Sequence, residues 1–265
     1  MIAFSHRLSI LSKYIKYRLT ASDKFDIHSP FIYDFYTRVV SDETKYKGYK
    51  NGEDARLRML SDERIIEVTD YGTGGRELKG QQRKVRDIAR KYACNKKDGA
   101  LLFRITQWRK PESIIELGTS VGIGSAHLKS GNQQSKLITI EGCPNTAAVA
   151  AENFRLSDLD ITVIVGNIDD TLEQAINLCR NKINLVYFDG NHTKEATISY
   201  FCKCRDAASE NAIFVFGDIH WSAGMEEAWD EIKKDSAVKV TIDLFHLGIV
   251  FFSADLSKQD FVLKY

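Results

Sequence analysis

Nothing in this 265-residue sequence reads as a secretion signal or a membrane span. Met1-Ile2-Ala3-Phe4-Ser5-His6-Arg7 lacks the basic-then-apolar order of a leader, and no apolar run approaches bilayer length. A cytoplasmic location is the expectation. The five cysteines, Cys94, Cys143, Cys179, Cys202 and Cys204, are odd in number and include no Cys-x-x-Cys pair, which argues against a disulfide scaffold and against a zinc site. Internal repeats and low-complexity segments are missing too. Net charge is also low, at +1, but it is unevenly spread. Residues 1–110 carry 24 Lys/Arg against 14 Asp/Glu, a net of +10, and residues 111–265 carry −9. Such a basic stretch can mark a face for nucleic acid, phosphate or a carboxylated substrate. No nucleic-acid-binding module accompanies it, and Lys and Arg mixed with acids, as in residues 83–97, also form the solvated face of a helix.

The chain divides near Pro111 into a helical amino-terminal region (1–110) and a regular α/β region (111–265). Leu8, Leu11, Ile15 and Leu19 fall at helical spacing with Lys13, Lys16 and Arg18 between them, which predicts an amphipathic helix that packs on the main domain. Pro30, in His28-Ser29-Pro30-Phe31, is placed to start a second helix through about Val40, and the polar stretch 41–51 reads as a loop. Ile65-Ile66-Glu67-Val68 fits a short strand. Asp70-Tyr71-Gly72-Thr73-Gly74-Gly75-Arg76 reads either as a flexible loop or as an anion cradle beside Arg76. Helices are expected at 81–93 and 99–108.

Beyond Pro111, short apolar β-type runs alternate with amphipathic helical stretches, the pattern of a parallel sheet covered by helices. Strands are expected at 113–117, 136–141, 161–165, 184–188 and 212–216, and helices at 124–129, 145–156, 169–180, 193–208 and 222–234. Two final apolar runs, 238–244 and 248–252, are joined by too few residues for a crossover, so they should pair antiparallel. The expected fold is therefore a Rossmann-like, seven-stranded, mostly parallel α/β sheet with an antiparallel last strand, helices on both faces, and a helical amino-terminal region.

Ile114-Ile115-Glu116-Leu117-Gly118-Thr119-Ser120-Val121-Gly122-Ile123-Gly124 reads as a buried strand, a glycine loop and a helix start. Glycines suit this place because the backbone turns sharply there and a ligand can approach without a Cβ in the way. The next strand ends in Glu141, and an acid roughly 20–25 residues past such a loop can accept hydrogen bonds from both ribose hydroxyls. The loop lacks the G-x-G-x-x-G spacing of NAD-binding domains, and the antiparallel tail is wrong for them.

With these features the sequence resembles the class I S-adenosylmethionine (SAM)-dependent methyltransferases, in the branch similar to catechol-type O-methyltransferases. The family pattern Glu-x-Gly-x-x-x-Gly is matched by Glu116, Gly118 and Gly122, and the similarity spans about residues 111–253. The resemblance implies a cofactor site of Glu116, Gly118, Thr119, Ser120, Gly122, Glu141, Gly142 and Asp189, with Glu141 at the ribose and Asn167 and Ile168 near the adenine.

Ligands of open α/β sheets bind beyond the carboxyl ends of the strands. There the sequence places Asp189-Gly190-Asn191-His192 after the fourth strand of the regular region and Gly217-Asp218-Ile219-His220-Trp221 after the fifth. Asp189, His192, Asp218 and His220 are the candidate catalytic residues: an imidazole can take a hydroxyl proton, and Asp189 can orient it or contact the SAM amino group. Trp221 is a candidate wall beside the sulfonium, and His28 is a second candidate for reaching the substrate. The catechol-type resemblance also implies a divalent metal on Asp189 and Asp218, but the family's third ligand position holds Ile219, which cannot ligate; with His192 or His220 as the third ligand the set would suit a transition metal at least as well as Mg²⁺. Asp189 and Asp218 could equally serve as helix caps. The reading is O-methyl transfer to a small molecule, with the amino-terminal region as a cover or a homodimer contact. RNA methylation through the basic region and non-catalytic SAM binding stand as alternatives.

Overall fold

A computed structural model describes residues 2–69, 81–180 and 182–265, with side chains from Leu8 onward. The glycine-rich stretch at 70–76 lies outside them. In chain order the elements are α1 (Ile2–Thr20), α2 (Pro30–Phe35) running into a π-helical turn (Tyr36–Val40), α3 (Tyr49–Ser61), β1 (Ile65–Glu67), β2 (Gln82–Lys84), α4 (Val85–Lys91) and α5 (Lys96–Arg109). After Pro111 come β3 (Ser113–Leu117), α6 (Ile123–Gly131), β4 (Lys136–Glu141), α7 (Pro144–Leu156), β5 (Ile161–Val165), α8 (Ile168–Leu178) and β6 (Ile183–Phe188). The chain continues through α9 (Lys194–Asp206), β7 (Ala208–Gly217), α10 (Ala223–Lys234), β8 (Val240–Asp243), β9 (Leu247–Phe251) and β10 (Gln259–Val262).

β3 to β10 form one sheet in the order β10-β8-β9-β7-β6-β3-β4-β5. The five strands of the βα alternation pair in parallel, and β9 runs antiparallel to both β7 and β8, as expected from the short link before it. The chain reverses its winding at β3, whose neighbours are β4 and β6, so a crevice opens there beyond the strands' carboxyl ends. The seven expected strands are all present, and β10 adds an eighth, parallel to β8. Its four residues, Gln-Asp-Phe-Val, carry no β-type run. It is held by partners far away in sequence: Ser22 N–H donates to Val262 O (2.9 Å), Lys264 N–H to Ser22 O (2.9 Å) and Tyr17 Oη–H to Leu263 O (2.5 Å).

Alternation along the strands sends side chains to two cores. Ile115, Leu117, Val186, Phe188, Phe214 and Phe216 face α8, α9 and α10. Ile114, Leu185, Tyr187, Ile213 and Val215 face the other way, against Ile32 and Phe35 of α2, the π-helical turn, and Leu101, Leu102 and Ile105 of α5. The amino-terminal residues thus form one layer of the same core, on both sides of the boundary expected at residue 110. α1 packs through Tyr17 and Tyr14 against Phe245. Two expectations shift. The helix expected at 81–93 begins only at Val85, because Gln82–Lys84 pairs antiparallel with Ile65–Glu67; a polar Gln-Arg-Lys run has no strand signal of its own. The loop expected at 41–51 ends at Tyr49, where α3 starts.

Candidate active site

β3 is buried along its length and ends at Gly118, whose φ of +97° suits glycine alone. A Cβ there would lie 2.5 Å from the Asp189 carbonyl oxygen, so the β3 loop and the residue ending β6 touch backbone to backbone. Gly118 and Thr119 both donate N–H to Ile140 O (3.0 and 3.2 Å), tying the loop to β4. Ser120 follows at φ +49° and donates its N–H to Glu141 Oε2 (2.8 Å), and Cys143 N–H donates to Oε1 (3.0 Å). The Glu141 carboxylate is thereby fixed at the mouth of the loop by two backbone donors.

Above these strand ends lies a cleft of about 560 Å³. Gly118, Ser120, Glu141, Gly142, Asn167 and Ile168 line it together with Asp189, His192, Asp218 and Trp221. Burial first, and the neighbouring Asp218 carboxylate second, push the Asp189 carboxyl well above the usual range, although the Tyr187 hydroxyl hydrogen-bonds to it. His192 Nε2 stands 4.0 Å from Asp218 Oδ2; burial lowers its pKa against the opposing pull of that carboxylate. Asn191 and Asp218 sit at φ +50° and +55°. Together with Ser120 they are three non-glycine residues in a region that costs of order 1 kcal/mol or more each, clustered where the chain must aim side chains at one space.

Residues 115–219 match the family model described as a methyltransferase domain. The fold is that of a class I methyltransferase. The chain resembles SAH-bound Podospora anserina methyltransferase PaMTH1 (TM-score 0.58, 14% identity, 81% of this chain and 91% of that one). It also resembles TomG of Streptomyces achromogenes, an O-methyltransferase solved with SAM (TM-score 0.56, 15% identity, 84% and 95%). In sequence, the "Transmembrane O-methyltransferase" of Homo sapiens is 32% identical over 78 residues, 28% of this chain and 27% of that protein. The match thus spans about a quarter of that relative's length. Among the described residues of this chain, no helix is long and apolar enough to cross a membrane.

Five of the residues expected at the site do not line the cleft. Glu116, Thr119 and Gly122 lie beneath the loop. Glu116 Oε2 accepts from the Ser125 and Thr139 hydroxyls, and burial pushes its pKa up to about 7. Thr119 Oγ1 meets Thr139 Oγ1 at 2.6 Å, and Gly122, at φ +82°, starts α6 against the Phe154 ring. These three shape the loop. His28 is exposed on a separate surface depression with Asp34 and Arg38, because α2 packs through Phe35 onto Trp108 and Phe251.

His220 points away from the cleft. Its Nδ1 meets Glu226 Oε1 (2.9 Å), its Nε2 meets Asp243 Oδ2 (2.8 Å), and its ring stacks on Phe245. Burial lowers its pKa, but the Asp243 and Glu226 carboxylates outweigh that and raise it. Lys13 of α1 joins the network at Glu226 Oε2 (2.7 Å). A raised histidine pKa contributes stability that is full below the unfolded value near 6.5 and fades as pH rises through the folded value. His220→Ala should therefore lower unfolding free energy by roughly 1–3 kcal/mol at pH 6 and by less at pH 9, as urea titrations at the two pH values would read. An equal loss at both would contradict the charged pairing.

The cleft also has walls that no sequence signal marked. Tyr187 of β6, Cys94, Asn95 and Asp98 at the start of α5, and His246 in the β8–β9 turn all line it. Asp98 is buried, which raises its pKa. Only the wrapping of the amino-terminal region over the sheet brings Asn95 and Asp98 there.

The donor set does not fit the metal centre implied by the catechol-type resemblance. Ile219, in the third ligand position, is buried beside Trp229 and Gly248 in the core. Among the described residues no three His, Cys, Asp or Glu side chains converge to hold an ion.

Proposed function

We propose that this chain transfers a methyl group from SAM to an oxygen of a small-molecule acceptor. The observation that carries the reading is the pairing of a glycine cradle with a backbone-fixed Glu141 in a cleft that also gathers Asp189, His192 and Asp218. The match to a methyltransferase domain over 115–219 and the O-methyltransferase names of similar proteins support it.

SAM supplies an electrophilic methyl on a sulfonium. Gly118 leaves room for the ligand against the loop backbone, Glu141 accepts the ribose hydroxyls, and Asn167 and Ile168 border the adenine. Asp189, forced toward its neutral form, is the group a cationic ligand would ionise. His192, held neutral at physiological pH by its lowered pKa, accepts the acceptor hydroxyl proton, and Asp218 offsets the charge the ring then gains. Trp221 closes the side of the cleft. Because the base must be neutral, turnover should be flat around neutral pH and fall only in acid, below the lowered His192 pKa, and His192→Gln should remove that limb of the profile.

Incubation with methyl-labelled SAM and a panel of phenols and alcohols tests the activity: label should move to an oxygen and S-adenosylhomocysteine (SAH) should form. No transfer to any hydroxyl, with transfer to an amine or thiol instead, would contradict O-methylation. Glu141→Ala should weaken SAM binding by about 10- to 100-fold, the worth of hydrogen bonds to a charged group; unchanged affinity would remove Glu141 from the site.

A further inference from the structure

A second cavity, of about 690 Å³, lies outside the methyltransferase cleft, bounded by the 42–47 loop, the start of α3, and residues of α5 and α6. Its lining contains a buried cation that, among the described residues, has no ion-pair contact. Arg104 of α5 is 7% exposed, and its hydrogen bonds go to two neutral oxygens, Nε to Val39 O (2.5 Å) and Nη1 to Tyr49 Oη (2.9 Å). Among the described residues no carboxylate forms an ion pair with it. Asp42 accepts from Thr44 N–H (2.9 Å) and the Tyr46 hydroxyl (2.6 Å); against burial, these bonds and the Arg104 charge hold its carboxyl below the usual range, so it offsets the guanidinium in part from beyond ion-pair distance.

Beside it stands an orphaned histidine. His127 of α6 is 2% exposed and fits between two glycines: a Cβ at Gly52 or Gly99 would come within 2.4 or 2.5 Å of its ring. Burial lowers its pKa to about 4, so the ring is neutral, and its Nδ1 has no hydrogen-bond partner. Lys45, Lys47 and Lys50 stand on the same lining and, among the described residues, form no ion pair, whereas Lys96 is neutralised by Glu53 (3.0 Å). Glu43 is the remaining acid and is exposed.

Native proteins pair buried charges and satisfy buried polar nitrogens, since leaving either alone forfeits hydration with nothing in return. We infer that this cavity is a binding site for a small phosphate-type oxyanion, held by Arg104, the Lys45/Lys47/Lys50 rim and an N–H of His127. A tetrahedral dianion offers enough acceptors to meet a guanidinium fork, ammonium groups and an imidazole together. The place suggests what occupancy does. α5 carries Asn95 and Asp98 in the methyltransferase cleft and Arg104 here, and α6 begins directly after the Gly118–Gly122 loop and carries His127, so the ligand braces the two helices that frame the cofactor end.

The test is calorimetric titration of the full chain with sodium phosphate at constant ionic strength, with acetate and chloride as comparison anions. One saturable phosphate site per chain is expected, weakened at least about tenfold in Lys47→Ala/Lys50→Ala, a surface double variant whose melting temperature without phosphate should be unchanged, and in Arg104→Gln. No saturable heat, equal affinity for acetate or chloride, or equal affinity in the double variant would overturn the assignment. A SAM titration on the same preparation keeps the two proposals apart: phosphate binding without SAM binding sinks only the methyl-transfer reading, and the reverse sinks only this one.

Discussion

Gly118→Val should abolish cofactor binding and lower unfolding free energy by at least about 3 kcal/mol. Two penalties act together. A β-branched residue is strained at φ +97°, and its Cβ would lie 2.5 Å from the carbonyl oxygen and 2.8 Å from the carbonyl carbon of Asp189. Both atoms are backbone, so no flexible side chain can swing aside. Relief requires the β3 loop to part from the end of β6, and that separation also breaks the two Ile140 hydrogen bonds that set the loop beside Glu141. Urea unfolding and SAH titration read the two effects. A variant as stable as the parent with unchanged SAH affinity would show that the loop does not form the cradle.

Asp189→Asn should reduce turnover by about a thousandfold while making the unliganded protein more stable at pH 8. The opposite signs follow from one cause. Asp189 is half-buried beside Asp218, and desolvation together with that carboxylate holds its pKa well above the ordinary carboxylate value. A carboxyl whose folded pKa exceeds the unfolded one binds more protons in the folded state, so stability falls as pH rises from about 4 toward the folded pKa. Asparagine removes that penalty and can still meet the Tyr187 hydroxyl. It cannot become an anion when a cation arrives, and the catalytic loss follows from that. Glu116, with a pKa near 7, adds a penalty of the same sign, so the wild-type curve of stability against pH should flatten in Asp189→Asn without becoming level. A variant that is destabilised at pH 8, or that keeps full activity, would show Asp189 to be a structural cap.

The sheet after Pro111 was legible because each strand there is an apolar run bracketed by turn residues, and its helices bury one face. Glu141 was legible for the same reason, as an acid ending a strand one βα unit after a glycine loop. What sequence could not show depended on partners distant along the chain. β2 is polar and exists because Ile65–Glu67 pairs with it, and β10 is held by α1 and the residues just after it, some 240 positions away. His220 follows strand β7 as a catalytic residue would, yet Glu226 and Asp243 claim both of its nitrogens. Asp98 fell between the helices expected at 81–93 and 99–108, and it is buried in the cleft because α5 packs on the sheet. The basic excess of residues 1–110 likewise showed no focus in sequence; folding brings Arg104 and three lysines of the 45–50 stretch to one cavity.

Calorimetric titration of the purified chain with SAM and SAH, beside Glu141→Ala, decides whether the cleft over β3 and β4 is a SAM site. The account predicts one site per chain with a dissociation constant in the low micromolar range or tighter, about −8 kcal/mol, and clear weakening in the variant. Absence of binding to either ligand would contradict it and leave a Rossmann-like domain whose glycine loop serves another molecule.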